Sequence, residues 1–545
     1  MSAVLDKDER VDPVLPTGGW SRFALRKVQE TRSSPALMRH LIICREFPPA
    51  PGGGIGTYAA NMSRLLAEHG ETVHVISQRC ERAERACEET CDGRLIVHRV
   101  AFDDWTSLLG PKPHPALPKG IESRLFRSIF HPQSFAWSAA ILAERLVVEE
   151  GIDVIEAQEY EAPLYYFQLR RALGLGPDRQ PPVIVHLHSP TVMIAHNNSW
   201  PVDGPSVVAA SRLEEYSIRA ADGLLCPSRY LAAGVRNHYE LPSESIDVIP
   251  YPSIGLAKLD RDHEVWSGGS ICYVGRLEPR KGILEWIDAA VSVAESDSEV
   301  TFDFVGENVL GHGRRSGRAV VDEMIPKHLR SRFRFQGPHP RSAIPRFLAR
   351  ARIAVVPSRW ENFPNTCIEA MSSGLPVIAT STGGMAEMVE DGRTGWIASS
   401  ASTIADALVR ASNCSAPRLR EMGDAASVSI RERCDPETVI EAQLALRARF
   451  VDAGAARSRE VPGDLDWMPP AVSEGSTSLE DASSICETTQ TMITTGDAGP
   501  GGIVARPPSA GVRAAIGDPV RTGAVVLRKL RGKFLRRLGR GGASR

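Results

Sequence analysis

Two acidic side chains stand eight positions apart in the stretch VPSRWENFPNTCIEAMSSGLPVIAT, residues 356–380. They are Glu361 and Glu369, with Pro364 between them. On one unbroken helix they would share a face about 12 Å apart, at about 1.5 Å of rise per residue. Proline suits the first turn of a helix and not its interior. The pattern therefore predicts Glu361 on a loop and Glu369 on a helix that starts near Pro364 and stops near Gly374. The two carboxylates then flank a helix N-terminus, whose free N–H groups favour an anion. Carboxylates hold sugar or ribose hydroxyls and a helix end holds phosphate; a sugar nucleotide offers both. Taken alone, the same residues also fit an ordinary helix with solvated acids.

Other residues could join that chemistry. In YVGRLEPRKG (residues 273–282), Arg276 and Lys281 follow a strand that ends at Val274. Ligands bind at the carboxyl ends of parallel strands, and two cations there can hold a diphosphate leaving group. Glu278 and Arg280 read as solvent-facing. His188, in HLHSP, also sits at a strand end, and His186 points the same way from the strand. Pattern does not choose between them, and a strand-end histidine taken alone is more often structural than catalytic. GIGTYA (residues 54–59) matches the dinucleotide fingerprint G-x-G-x-x-A. However, nine residues separate Cys44 from Gly54, and the next strand ends in VISQR without the acid a ribose needs. A glycine loop whose N–H groups face an anion or a sugar at a cleft fits better.

The elements around these residues follow a repeating order. HLIIC, a glycine loop, the helical TYAANMSRLLAEH and the apolar TVHVIS form a β–loop–α–β unit. Further short apolar runs, DVIEAQ, VIVHLHS, GLLCPS and IDVIPYPSI, continue that half. After the charged link GLAKLDRDHEVWSGG a second series begins: SICYVG, TFDFVG, FRFQG, IAVVPS and PVIAT, with helices such as ILEWIDAAVSVAE and IPRFLARA between. The prediction is α/β: two doubly wound Rossmann-like domains, at residues 37–255 and 265–434, facing a cleft. A closing helix at 435–454 ends the ordered part, and residues 1–36 form an N-terminal extension in which residues 23–28 fit a short helix. Residues 455–519, rich in Gly, Pro, Ser, Thr and acids, read as a disordered linker.

Composition narrows the function. The 545 residues are 42% apolar with a net charge of −2, which argues against a nucleic-acid binder. The charged start MSAVLDKDER has no secretory apolar run, and no run of about 18 apolar residues exists to span a membrane. Ten scattered cysteines suit reduced thiols and a cytoplasmic protein. Cys80, Cys87 and Cys91 lie near His74 and His98 in the chain, but their spacing matches no common zinc pattern. The tail at 520–545 carries nine Arg and Lys and no acid, with Val526, Leu527, Leu530, Phe534 and Leu538 at helical spacing. It reads as a basic amphipathic segment for an anionic membrane, which would place the chain peripherally at the inner face of the plasma membrane.

Together, PGGGIGTY, HLHSP, GRLEPRKG, ENFPNTCIE and GLPVIATSTGGMAEMVEDGRTGWI are recognisable in this order. From about Leu41 to Ile397, and through the closing helix, the chain resembles the retaining glycosyltransferase family 4, of GT-B fold. The resemblance implies a hexosyltransferase-type enzyme that moves a sugar from a nucleotide-diphosphate sugar to a glycan or lipid-linked acceptor with retention of configuration. It implies that Arg276 and Lys281 bind the donor diphosphate, Glu361 the sugar hydroxyls and Glu369 the ribose. Amides near Asn365 and Thr366 would hold sugar or phosphate, His188 would lie by the donor sugar, and Gly53 and Gly54 would line the cleft. No cofactor and no essential metal are implied; the DRD at residues 260–262 falls in the interdomain link. Two departures stand out: Pro364 where the family often has glycine, and IPYPSI where it often has an Asn-Gly turn. The rival readings are a sugar-nucleotide epimerase of the same fold and a non-catalytic nucleotide-sugar-binding scaffold.

Overall fold

The computed structural model describes residues 37–454, apart from residues 84, 101–131, 173–175, 199, 298 and 312–315. The N-terminal extension (1–36) with its short helix, the disordered linker (455–519) and the basic tail (520–545) lie outside the described residues.

Among the described residues the strands fall into two sheets. The first holds β1 (Arg39–Ile43), β2 (Thr72–Gln78), β3 (Cys87–Thr90), β4 (Leu95–Val100), β5 (Val154–Gln158), β6 (Val183–His186), β7 (Gly223–Cys226) and β8 (Ile246–Val248). Their order is β3-β4-β2-β1-β5-β6-β7-β8. Every pairing is parallel except the edge strand β3 against β4. The second holds β9 (Ser270–Val274), β10 (Phe302–Val305), β11 (Phe333–Gly337), β12 (Ala351–Val356), β13 (Val377–Thr380) and β14 (Gly395–Ala398), in the order β11-β10-β9-β12-β13-β14. This is the doubly wound arrangement expected from the alternating pattern. In each sheet the chain reverses direction of travel beside its first long strand: between β1 and β5, and between β9 and β12. The loops that leave those strands open a crevice at their carboxyl ends.

Three strands escaped the sequence pattern, namely β3, β4 and β14. β14 is four residues long and begins with glycine. β4 reads LIVHRV, so a buried arginine breaks its apolar run. Arg99 is tolerated there because its guanidinium donates to the carbonyls of Phe47 (2.9 Å) and Pro48 (2.6 Å). The link after β8 also differs from a plain polar tether. Arg261 donates to the carbonyls of Ala351 (3.0 Å), Leu348 (2.9 Å) and Ser373 (2.8 Å). Asp262 of the DRD caps the helix His263–Gly268 through the Val265 amide at 2.8 Å.

Apolar side chains cover both faces of each sheet. One cluster is shared: Tyr58, Val154 and Tyr251 of the first lobe pack with Phe363, Cys367 and Met385 of the second and with Val439, Ile440 and Leu446 of the closing helix. That helix, Pro436–Ala453, starts from the cap Asp435, which accepts the Thr438 amide at 2.9 Å, with proline at the first position. It crosses back to the first lobe. Its Arg447, 1% exposed, pairs with Glu156 of β5, and Phe450 packs so close that a Cβ at Gly223 would lie 2.3 Å from its ring. Glu156 also accepts from Tyr58 (3.0 Å) and faces His186 Nδ1 (3.1 Å). Burial pushes the Glu156 carboxyl up, but Arg447 and His186 outweigh it and hold it at about 2. The stability from this ionised group is present above the ordinary carboxylate range and is lost as the pH falls toward 2.

Arg447→Ala strands Glu156 as an uncompensated buried charge. Urea denaturation at neutral pH is expected to show a loss of about 3–5 kcal/mol, and the Arg447→Met, Glu156→Gln pair to recover most of it. A single-variant loss below about 1 kcal/mol, the range of an exposed pair, would show that this ion pair does not hold the helix.

Candidate active site between the lobes

The loop after β9 carries the cations. Arg276 is more than half exposed and reaches Glu278 at 3.4 Å. A single 3-10 turn, Pro279–Lys281, places Arg280 and Lys281 side by side, and Gly282 (φ +63) starts the helix Ile283–Ser296. Both cations bond the carboxylate of Glu361: Arg280 Nη1 at 2.8 Å, and Lys281 through its ammonium group. Arg280 Nη2 also bonds Glu278 at 2.9 Å. Arg280 and Glu278 are therefore not the solvent-facing pair that the sequence suggested. The Arg359 amide donates to the Arg280 carbonyl (3.0 Å), and this pins the turn against the loop after β12.

Glu361 sits on that loop after β12. Burial would raise its carboxyl, but Lys281 and Arg280 outweigh burial and hold it below the usual carboxylate range. Three cations, Arg276, Arg280 and Lys281, face two carboxylates, Glu278 and Glu361, so positive charge is left over for an anion. Two glycines make the loop's position possible. A Cβ at Gly383 (φ +111) would lie 2.0 Å from the Glu361 carbonyl oxygen, and one at Gly384 1.8 Å from that of Asn362.

The helix Asn365–Ser372 begins after Pro364 and is followed by Gly374 (φ +83), as the spacing predicted. Its first local bond runs from the Cys367 amide to the Pro364 carbonyl (3.0 Å), so the amides of Asn365 and Thr366 stand ahead of it. Glu369 lies one element away from the cation cluster. It pairs with Arg341 Nε at 2.8 Å and, with Thr366, lines a groove walled by Cys272, Val274, Ile344 and Leu348.

The first lobe supplies the opposite wall. The Gly53 amide donates to Glu46 Oε2 at 2.9 Å, and the helix Gly54–Glu68 starts at once, earlier than its apolar periodicity indicated. A Cβ at Gly54 would lie 3.5 Å from Asn365 Nδ2, so the glycine loop faces the helix of the second lobe. His186 and His188 stack with ring centres 4.4 Å apart, but their partners separate them. His186 is 1% exposed and bonds Glu156, whereas His188 bonds the Tyr251 hydroxyl at 2.5 Å. The lobes also touch directly. Asn362 Nδ2 donates to the His188 carbonyl and to Ser189 Oγ (3.0 Å), and Glu387 accepts the amides of Arg229 (3.2 Å) and Tyr230 (2.6 Å).

The arrangement matches described families. "Glycosyl transferase 4-like domain" matches residues 53–252, and "Glycosyl transferases group 1" matches residues 268–413. The chain is a glycosyltransferase of GT-B fold. Among curated proteins, this glycosyltransferase is 24% identical to glycogen synthase of Mycobacterium tuberculosis, over 66% of this chain and 81% of that one. It is 28% identical to D-inositol 3-phosphate glycosyltransferase of Nocardiopsis dassonvillei, over 63% and 77%. Its fold, GT-B, is shared with sucrose-phosphate synthase from Thermosynechococcus elongatus: TM-score 0.59 and 17% identity, over 76% of this chain and all of that one. It is shared likewise with Anabaena HepE in complex with UDP-glucose: TM-score 0.53 and 17% identity, over 76% and 100%.

Within the glycosyltransferase, the structure gathers Arg276, Lys281 and Glu361 in one cluster, sets Glu369, Asn365 and Thr366 on the adjoining helix, and brings Gly54 and His188 to face them across the lobes. Sequence reasoning missed Arg280, Asn362, Tyr251, Arg341 and Glu159. Asn362 sits inside ENFPN and Tyr251 inside IPYPSI, so both were in view, but their partners are more than 60 positions away. Among the described residues no group of three or more His, Cys, Asp or Glu could hold a metal ion. None of the described helices is long and apolar enough to cross a membrane.

Arg280→Met removes part of the hold on Glu361. The acid limb of the donor-binding pH profile is then expected to move to higher pH, because a carboxyl with one cation fewer protonates sooner. A limb that stays in place would take Arg280 out of this role.

Proposed function

We propose that this glycosyltransferase moves a sugar from a nucleotide diphosphate to a glycan or lipid-linked acceptor, with retention of anomeric configuration. The observation that carries this reading is the excess positive charge of Arg276, Arg280 and Lys281 beside Glu361 at the carboxyl ends of β9 and β12. In the reaction the bond between the anomeric carbon and the diphosphate oxygen breaks, a bond to an acceptor hydroxyl oxygen forms, and the proton of that hydroxyl passes to the departing diphosphate. Negative charge grows on the departing diphosphate, and fixed cations stabilise it without reorganising. They supply there what a divalent ion supplies in other transferases, so no cofactor enters this reading. Glu361 holds sugar hydroxyls, and Glu369, on the helix Asn365–Ser372, holds the ribose. The amides of Asn365 and Thr366 meet phosphate or sugar oxygens at the helix end. His188, and the glycine loop at Gly53 and Gly54, border the space where sugar and acceptor meet.

The related proteins support the substrate class. HepE is described with UDP and UDP-glucose, and starch synthase IV of Arabidopsis thaliana, of the same fold, with ADP and acarbose. The cationic tail at 520–545 supports a peripheral place on an anionic membrane, where each cation is worth about 1 kcal/mol.

A thermal-shift panel of UDP-, GDP- and ADP-sugars is expected to single out one donor base. Lys281→Ala and Glu369→Ala are each expected to weaken that donor about 10- to 100-fold by calorimetry, the scale of a lost hydrogen bond to a charged group. Unchanged affinity in both variants would remove the assigned roles. Full-length protein should sediment with phosphatidylserine vesicles more than a chain ending at Pro519 does, and equal sedimentation would remove the membrane role.

A further inference from the structure

The His188–Ser189 segment is held from three sides. From within the first lobe, the Glu159 carboxylate accepts the His188 amide (2.8 Å to each oxygen) and the Ser189 amide (2.5 Å). Glu159 is fully buried. Beside it the equally buried Glu214 accepts the Thr191 amide (2.7 Å) and hydroxyl (2.5 Å), so residues 188–191 are stapled to two carboxyl groups. From the connection between the lobes, the Tyr251 hydroxyl meets His188 Nδ1 at 2.5 Å. From the second lobe, Asn362 Nδ2 donates to the His188 carbonyl and to Ser189 Oγ.

The Asn362 contact differs from an ordinary packing contact. A carbonyl can only accept, so the amide nitrogen must face His188 and the amide oxygen must point elsewhere. That oxygen is buried without a partner, and the residue is 3% exposed. A buried orphan acceptor is a cost to folding. The bond across the cleft is thus made at the expense of the other end of the same amide. Asn362 is also the direct neighbour of Glu361, and Phe363, next in the chain, packs edge-on against Tyr251 with ring centres 5.7 Å apart.

We infer that Asn362 is a positioning residue: it fixes the distance between His188 and the carboxylate Glu361 when the lobes meet, with Glu159 as the rigid backing of the segment it grips. This rests on the reading under Proposed function, in which Glu361 and His188 border the sugar. The diphosphate and ribose contacts of that reading are made by other side chains, Arg276, Lys281 and Glu369, carried by the loop after β9 and by the helix Asn365–Ser372. Loss of Asn362 therefore slows turnover while nucleotide binding stays.

Turnover of UDP-glucose, GDP-mannose and ADP-glucose is measured for the wild type, Asn362→Ala, Asn362→Asp and Ser189→Ala, with the affinities of UDP, GDP and ADP by calorimetry and thermal midpoints in parallel. Asn362→Ala is expected to lower kcat about 10- to 100-fold, with donor KM and nucleotide affinity within about twofold of wild type. Asn362→Asp is expected to be slower still, because a carboxylate would face the His188 carbonyl oxygen. Ser189→Ala keeps the bond to that carbonyl and is expected to lose less than about fivefold. Asn362→Ala with kcat within twofold of wild type overturns the inference. So does a fall in nucleotide affinity and thermal midpoint in step with kcat, the mark of a merely structural role. Wild-type protein that binds none of the three nucleotides overturns the functional reading itself, and the inference with it.

Discussion

A carboxylate largely withdrawn from water needs cations or hydrogen-bond donors to meet it, and Glu361 is met by two cations. That requirement ties the loop after β9 to the loop after β12, across the point where the second sheet reverses its order. Arg280 closes the arrangement by bonding Glu278 and Glu361 together, so neither loop can shift without unpairing charge. The glycine pair Gly383 and Gly384 belongs to the same constraint, because the Glu361–Asn362 backbone occupies the space their side chains would need. The charge excess that suits a diphosphate is thus part of what holds the loops in register.

The two lobes are joined by more than a link. The closing helix returns to the first lobe and buries Arg447 against Glu156, and the cluster around Tyr58, Tyr251 and Phe363 runs from one lobe into the other. Asn362 and Glu387 add polar contacts, each reaching backbone groups of the first lobe. These bonds use main-chain atoms at strand ends and at a helix N-terminus, positions set by the sheets themselves. The relation between His188 and Glu361 follows from the sheets' topology as much as from either side chain.

Much of the fold was legible. Short apolar runs at regular spacing marked β1, β2 and the five strands β9 to β13, because strands buried on both faces have little else to show. Pro364 and Gly374 bracketed the helix that carries Glu369. Legibility failed where burial was bought by distant partners. Arg99 gave no signal and is buried on two carbonyls; Arg280 looked solvated and is held by two acids; Glu159 gave no signal, since its partners are backbone amides near residue 188.

By itself the sequence determined the alternation of strands and helices, the glycine loop, and which cations and carboxylates stand at strand ends, because those depend on local periodicity and on backbone preferences of glycine and proline. The tertiary structure alone decided which charge meets which. It set Arg280 on Glu361, Arg341 on Glu369, Arg447 on Glu156 and Asn362 on His188, over separations of 28 to 291 residues. Pairing energies depend on distance and burial in space, and neither is written in the spacing of residues along a chain.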